Sequence, residues 1–400
     1  MSFDVQAVRK QFPALAEGAA HFDGPGGTQV PQCVADAVAT ALTSAVSNRG
    51  RATMSERRAD DLVHAGRAAM ADLLGADPRG IVFGRSMTQL TYDFSRALAK
   101  TWQAGDEVVV SRLDHDANIR PWIQAAAARG VTVRWAEFDT RTGELSGADV
   151  AAVVSHRTRL VAITAASNLI GTRPPVREIA DIAHAVGALM YVDGVHYTPH
   201  CFVDVAALGA DFFVCSPYKF CGPHHGALAA RPQLLETLAP DKLLASTDDV
   251  PERFEFGTLP YELLAGTTAA VDFLAGLAPG EGTRRQRLQE SLRQLEAYED
   301  ELRQQLEQGL AELAGVMIHS RARSRTPTLL LSVHGHSPDD VQGHLAARGV
   351  NAPAGSFYAI EPARALRLGD AGAVRLGLAP YTDSEDVARA LAAIAELVPA

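Results

Sequence analysis

Between Ile81 and Cys215, short apolar runs alternate with amphipathic stretches, and this alternation limits the fold more than any other feature of the chain. Ile81–Gly84, Glu107–Ser111, Val131–Ala136, Leu160–Ala165, Leu189–Val192 and Asp211–Cys215 have the composition and flanking turn residues of strands. The segments running to Leu98, from Pro121 to Arg129 and over 176–186 space their apolar residues as helices do. Strand–helix units in series predict an α/β fold with a largely parallel sheet covered on both faces. Sheets of this kind bind ligands outside the carboxyl ends of their strands. The residues that follow each apolar run are therefore the candidates for chemistry.

Two strand ends stand out. Asp193-Gly194 stops one run, and Ser216-Pro217-Tyr218-Lys219 stops the next. An acid and a lysine so placed are what an aldehyde cofactor with a pyridine ring requires. The amine forms a Schiff base. The carboxylate keeps the ring nitrogen protonated, so the ring can draw electrons. Lysine is scarce here: only Lys10, Lys100, Lys219 and Lys242 occur. A lysine at a strand end is usually solvated. Lys219 is set apart by the buried run before it and the Gly222-Pro223 turn after it.

Other strand ends add polar groups on the same side. Phe83-Gly84-Arg85-Ser86-Met87-Thr88-Gln89 ends a strand and opens a helix. Free amides there, with the Thr88 hydroxyl, suit a phosphate dianion; Ser86 alone would be an ordinary helix cap. His115, in Leu113-Asp114-His115-Asp116-Ala117-Asn118, could stack on a ring, cap a helix or bind metal. No other His, Asp or Glu group has the spacing of metal ligands, so no metal is assigned. Asn168 follows a further strand, as a donor to the ligand or in an Asx turn. His196 lies three residues past Asp193, and Ser216 and Tyr218 accompany Lys219. Thr258, in Phe256-Gly257-Thr258, offers one more hydroxyl. Arg375 interrupts the apolar run Ala373–Leu378. A buried guanidinium needs an anion, which is either a substrate carboxylate held bidentately or an internal ion-pair partner.

The 400 residues suit two domains. After Gly257 the pattern changes to a long amphipathic helix (283–313), a strand (Thr328–Val333), a helix (Pro338–Arg348), a loop (Asn351–Glu361), a strand and a final helix (Ser384–Leu397). The boundary falls near 260–282. A large domain is assigned to 21–270, and a smaller α/β domain to 1–20 and 271–400. A net charge of −10, with arginines scattered among acids, argues against nucleic acid as a partner. No apolar run approaches the roughly 18 residues of a membrane span, and the N-terminus lacks the apolar core of a signal peptide. Cys33, Cys201, Cys215 and Cys221 form no paired framework. They read as reduced, mostly packed thiols of a cytoplasmic protein.

The order of these motifs resembles class V aminotransferases of pyridoxal 5′-phosphate (PLP) fold type I, and most of all their cysteine desulfurase branch. The likeness runs from Phe22 to about Leu397, and Asp193-Gly194, Ser216–Lys219 and Asp114–Asn118 are its most specific parts. It implies PLP as cofactor, a mostly parallel seven-stranded sheet in the large domain, an amino-acid substrate, and a homodimer with sites at the subunit boundary. Under this resemblance Lys219 carries the cofactor and moves the proton, Asp193 pairs with the pyridine nitrogen, and His115 stacks on the ring. His196 stands where the family usually has Gln, beside the ring hydroxyl. Met87 (through its amide), Thr88, Ser216 and Tyr218 would hold the phosphate, Tyr218 replacing a His common in desulfurases. Thr258 would reach the phosphate of the other subunit. Asn168 lies near the substrate carboxylate or ring oxygen, and Arg375 holds the α-carboxylate.

One departure from the family matters most. Desulfurases carry a mobile-loop cysteine that takes sulfur as a persulfide. The corresponding loop, Val350–Ala359, has none, and Tyr358 falls at or near that position. A phenol cannot take sulfur that way, so no persulfide is expected. Tyr358 would line the pocket or donate a proton, and its buried phenol would need a partner. β-Elimination of a sulfur leaving group comes first among the reactions; transamination and epimerisation use the same residues. A PLP-binding scaffold without turnover is the rival of a different class.

Overall fold

The structure is a computed structural model and describes residues 3–398. Its strands are β1 (Ala20–His21), β2 (Ile81–Gly84), β3 (Glu107–Ser111), β4 (Thr132–Ala136), β5 (Thr158–Thr164), β6 (Leu189–Asp193), β7 (Phe212–Cys215), β8 (Gly226–Ala230), β9 (Val316–Ile318), β10 (Thr328–Val333), β11 (Val350–Asn351), β12 (Ala354–Gly355) and β13 (Ala373–Gly377). Seven form the central sheet, in the order β2-β8-β7-β6-β5-β3-β4. Strands β3 to β7 run parallel, and β8 opposes both its neighbours. The expected mostly parallel seven-stranded sheet is present. Strand β8 carries little signal in the sequence, because Gly-Ala-Leu-Ala-Ala lacks β-branched residues and alternation.

The principal helices are α1 (Gln32–Thr43), α2 (Met54–Leu74), α3 (Met87–Ala99), α4 (Arg120–Ala127), α5 (Val176–Ala185), α6 (Tyr261–Ala275), α7 (Arg284–Ala311), α8 (Pro338–Ala346) and α9 (Ser384–Ala395). Helices α2, α5 and α6 cover one face of the central sheet, and α3 and α4 the other. Successive strand residues point to opposite faces. Val109, Val161, Met190, Val192 and Phe213 therefore pack with Met70 and Leu73 of α2, Ile179 of α5 and Leu264 of α6. Val108, Val110, Leu160, Tyr191 and Val214 pack with Phe94 of α3 and Trp122 of α4. Both faces are buried, so the strands read as continuous apolar runs.

The second unit is a four-stranded sheet, β12-β13-β10-β9, antiparallel throughout. Its core joins Leu329, Leu331 and Leu376 to Val387 and Ile394 of α9. Helix α7 serves both cores. Leu288, Leu292 and Leu295 enter the large one, and Leu302, Leu306 and Leu310 the small one. Strand β1 pairs in parallel with β11, joining Ala20 to Val350 and His21 to Asn351. Among the described residues no helix is long and apolar enough to cross a membrane.

Candidate active site

The carboxyl ends of β2, β3, β5, β6 and β7 open on one cavity of about 260 Å³. Its wall brings together Met87, Thr88, His115, Asn168, Asp193, His196, Tyr218, Lys219, Tyr358 and Arg375. Ser216 is buried at the end of β7 and is not on this wall. Thr258 is exposed and borders a different hollow, with Arg85 and Gln89.

Strand β7 delivers Lys219 through the single turn Pro217–Lys219. Its Nζ donates to the Pro25 carbonyl and lies 5.1 Å from the centre of the Tyr218 ring. Desolvation, reinforced by the charge of Arg375, pulls the amine down to a pKa of about 7, although Asp193 opposes the shift. Asp193 ends β6, and its Oδ1 accepts from the Val195 amide at 2.9 Å. Burial raises its pKa to about 6 against that bond and against Lys219. The glycine after it has a packing cause. A Cβ at Gly194 would lie 1.9 Å from Cζ of Phe213 on β7.

His115 caps the turn Asp116–Asn118, its Nδ1 accepting from the Ala117 amide at 3.0 Å. That bond leaves the ring proton on Nε2. Burial, with Lys219 and Arg375 adding to it, lowers the pKa to about 4, so a neutral flat ring faces the cavity. Its two neighbours turn elsewhere. Asp114 is buried on the Ser111 hydroxyl and the Asn118 amide, and Asp116 pairs with Arg120 at 2.8 Å. The Asp-His-Asp run is therefore not gathered around one point. His196 places Nε2 2.9 Å from Thr328 Oγ1 and 3.1 Å from Thr326 Oγ1. Burial holds its pKa well below the ordinary imidazole value.

Arg375 lies inside β13 and is buried. Its Nη1 donates to the Asn168 carbonyl at 2.8 Å. Among the described residues no carboxylate pairs with its guanidinium, and its Nε has no partner. Burial pulls its pKa down to about 9, with only the field of Asp23 opposing. The Asn168 side chain donates from Nδ2 to the Phe357 carbonyl at 2.9 Å.

Three polar atoms on this wall, Asn168 Oδ1, His196 Nδ1 and Arg375 Nε, are buried without a partner among the described residues. Buried polar atoms are ordinarily paired, so the wall is made for a polar ligand. Ser86 spends its hydroxyl on the Gln89 amide at 3.1 Å. The Met87 and Thr88 amides remain among the unsatisfied donors of the first turn of α3. Gly226 of β8 closes on this turn: a Cβ there would lie 2.5 Å from the Met87 nitrogen. An amine of depressed pKa, a buried acid, a flat neutral imidazole and a helix start form a donor set that fits PLP.

The structure corrects one expectation and adds residues. Tyr358 is 75% exposed, so its phenol is not buried and needs no partner. Its ring lies 5.7 Å from that of His115, and its carbonyl accepts from the Asp116 amide at 2.8 Å. Pro25, Gly26, Thr164 and Phe357 join the wall. The sequence marks Pro25 and Gly26 only as part of a turn-rich loop, and Phe357 only as a neighbour of Tyr358. No cysteine is on the wall; Cys33 is exposed, and Cys201, Cys215 and Cys221 are buried elsewhere.

The family model for "Aminotransferase class-V" matches residues 20–390. A Mycobacterium tuberculosis protein, MT3887, is 35% identical, over 99% of this chain and 100% of its own. A probable cysteine desulfurase of Pseudomonas aeruginosa is 31% identical over 95% of each chain. The crystal structure of the Escherichia coli cysteine desulfurase CsdA (S-sulfonic acid) matches with a TM-score of 0.86 at 26% identity, over 100% of both chains. The match to the family model spans nearly the whole chain, and the fold agrees with it: the chain belongs to the class-V aminotransferase family, on the side of its cysteine desulfurases.

Proposed function

We propose that this protein is a PLP-dependent lyase that removes a sulfur-linked group from the β-carbon of a small amino acid without forming a persulfide on itself. One observation carries the reading. At the cavity mouth stands Tyr358, and no cysteine reaches the wall.

Bound in the cavity, PLP supplies an electron sink that makes the α-proton of an amino acid removable. Lys219 holds the cofactor. Its pKa of about 7 leaves much of the amine unprotonated near neutral pH, so it can take and return the α-proton. Asp193 keeps its second oxygen for the pyridine nitrogen. His115 would offer its flat neutral ring to the cofactor, and His196 would offer its unpartnered Nδ1. Met87, Thr88 and Tyr218 would hold the phosphate from the wall, with the buried Ser216 behind Tyr218. Arg375 takes the α-carboxylate, with Asn168 beside it. Tyr358 is placed to meet the leaving group at the mouth. A homodimer accompanies this reading: Thr258 lies exposed outside its own cavity, which supports its use by a second copy.

The test mixes holoenzyme with cysteine, cystine, alanine and a cysteine S-conjugate, and follows the visible spectrum, pyruvate, sulfide and thiol. Pyruvate with a stoichiometric thiol or sulfide, undiminished by prior alkylation of the cysteines, is expected. Conversion to the pyridoxamine form without pyruvate would make the enzyme a transaminase. Turnover that survives Lys219→Ala would overturn the mechanism.

A further inference from the structure

The loop that carries Phe357 and Tyr358 over the cavity is tied down at three points. The Phe357 carbonyl accepts from Asn168 Nδ2 at 2.9 Å. The Tyr358 carbonyl accepts from the Asp116 amide at 2.8 Å. The Phe357 ring lies 3.7 Å from the centre of the Arg375 guanidinium. Phe357 and Tyr358 hold φ values of 53° and 57°, which side-chain-bearing residues seldom adopt. A conformation of that kind persists where its surroundings hold it, and here Asn168, Asp116 and Arg375 do so. Arg375 is thus enclosed on one face by an aromatic ring and bonded at Nη1 to the Asn168 carbonyl. The buried, unpartnered Nε is left, beside Nη2, which lies 3.8 Å from where a Cβ on Gly26 would stand.

The geometry points to Phe357 as the residue that sets substrate size and shape, by closing the loop over Arg375 before substrate arrives. A single planar carboxylate can then bind side-on to the Nε–Nη2 edge. The ring occupies the space beside that carboxylate, and the cavity of about 260 Å³ must also contain the cofactor. The class of substrate is therefore a monocarboxylic α-amino acid with a short substituent at Cβ. Long or branched side chains, and bulky acceptors presented by another protein, are excluded by the same ring. This rests on the reading of the cavity as an amino-acid site. Phe357 acts through Arg375 and the loop, as a positioning residue.

Two measurements test it on the full-length protein. Hydrogen exchange is followed at the Asp116 and Ala359 amides, which bond to the Tyr358 and Ser356 carbonyls. Both are expected to be protected with or without cofactor, and to lose about tenfold protection in Phe357→Ala, the loss expected when a desolvated cation–π contact goes. Dissociation constants for alanine, 2-aminobutyrate and norleucine are then read from the cofactor absorbance of the holoenzyme. Wild type should prefer alanine over norleucine by about tenfold, and Phe357→Ala should bring the two to within about twofold while weakening alanine. Phe357→Leu, which keeps apolar bulk, guards against a folding defect and should fall between. Unprotected amides in wild type, or a preference unchanged in both variants, would overturn the proposal. A protein with no cofactor band but a protected loop would sink the PLP reading and the substrate class with it; a band with an unprotected loop would sink the clasp alone.

Discussion

Lys219 attacks an aldehyde only when it has lost its proton, and its desolvated site moves that loss to about pH 7. The rate at which cofactor-free protein takes up PLP, trapped on Lys219 by borohydride, should fall about tenfold per pH unit below 7 and level off above it. A rate that kept rising to pH 10 would show an ordinary solvated lysine. Most residues legible in the sequence are polar side chains at or just past a strand end, where a parallel sheet presents its ligands; Arg375 was legible instead as a charge inside an apolar strand. Lys219, Asp193, His115 and Asn168 are of that kind. Pro25, Gly26 and Phe357 were hidden because each works without polar side-chain chemistry. Pro25 offers a carbonyl, Gly26 small size, and Phe357 a ring laid on a guanidinium. The exposure of Tyr358 was hidden too, because a left-handed backbone at a non-glycine residue leaves no mark in composition.

At the scale of elements, two buried carboxylates tie neighbouring segments to the central sheet. Arg67 of α2 holds both oxygens of Glu255 at 2.8 Å and donates to the Ile81 carbonyl at 2.6 Å. Glu255 also accepts from the Phe83 amide at 2.8 Å, so the segment upstream of Thr258 is locked to β2. Arg67→Met leaves Glu255 buried and unpaired. It should cost about 3–5 kcal/mol in urea denaturation, and Arg67→Met with Glu255→Gln should recover most of that. A loss below about 1 kcal/mol would mean that the pair is effectively solvated. Glu107 of β3 behaves differently. Burial alone would raise its pKa, but hydrogen bonds from Arg134, Ser155 and Arg157 prevail and bring it down to about 2. A depressed folded-state pKa contributes stability above the unfolded value and loses it as pH falls through the folded one. Wild type should therefore lose more Tm than Glu107→Gln between pH 5 and pH 2.5, and parallel losses would contradict this. Strands β5 to β7 were legible because both of their faces are apolar. Strand β8 was not, since small residues there answer to close packing against α3 rather than to any propensity.

For the whole molecule, α7 is the decisive part. Its leucines at 288, 292 and 295 sit in the large core, and those at 302, 306 and 310 in the small one. A boundary near 260–282, drawn from the change of pattern along the sequence, could not reveal that one helix feeds two cores, because amphipathic spacing does not say which neighbour an apolar face meets. Leu295→Ala and Leu306→Ala should each remove about 2–5 kcal/mol. Both should lower the temperature of a single calorimetric transition, and two separating peaks would show cores that melt independently.

The Lys219 amine leans on a carbonyl at residue 25, and the same wall takes a guanidinium from residue 375. On the ribosome, then, the first wall of the pocket emerges long before the last. The pocket is closed only when segments from opposite ends of the chain have met, so its wall is complete only once nearly the whole chain has been made.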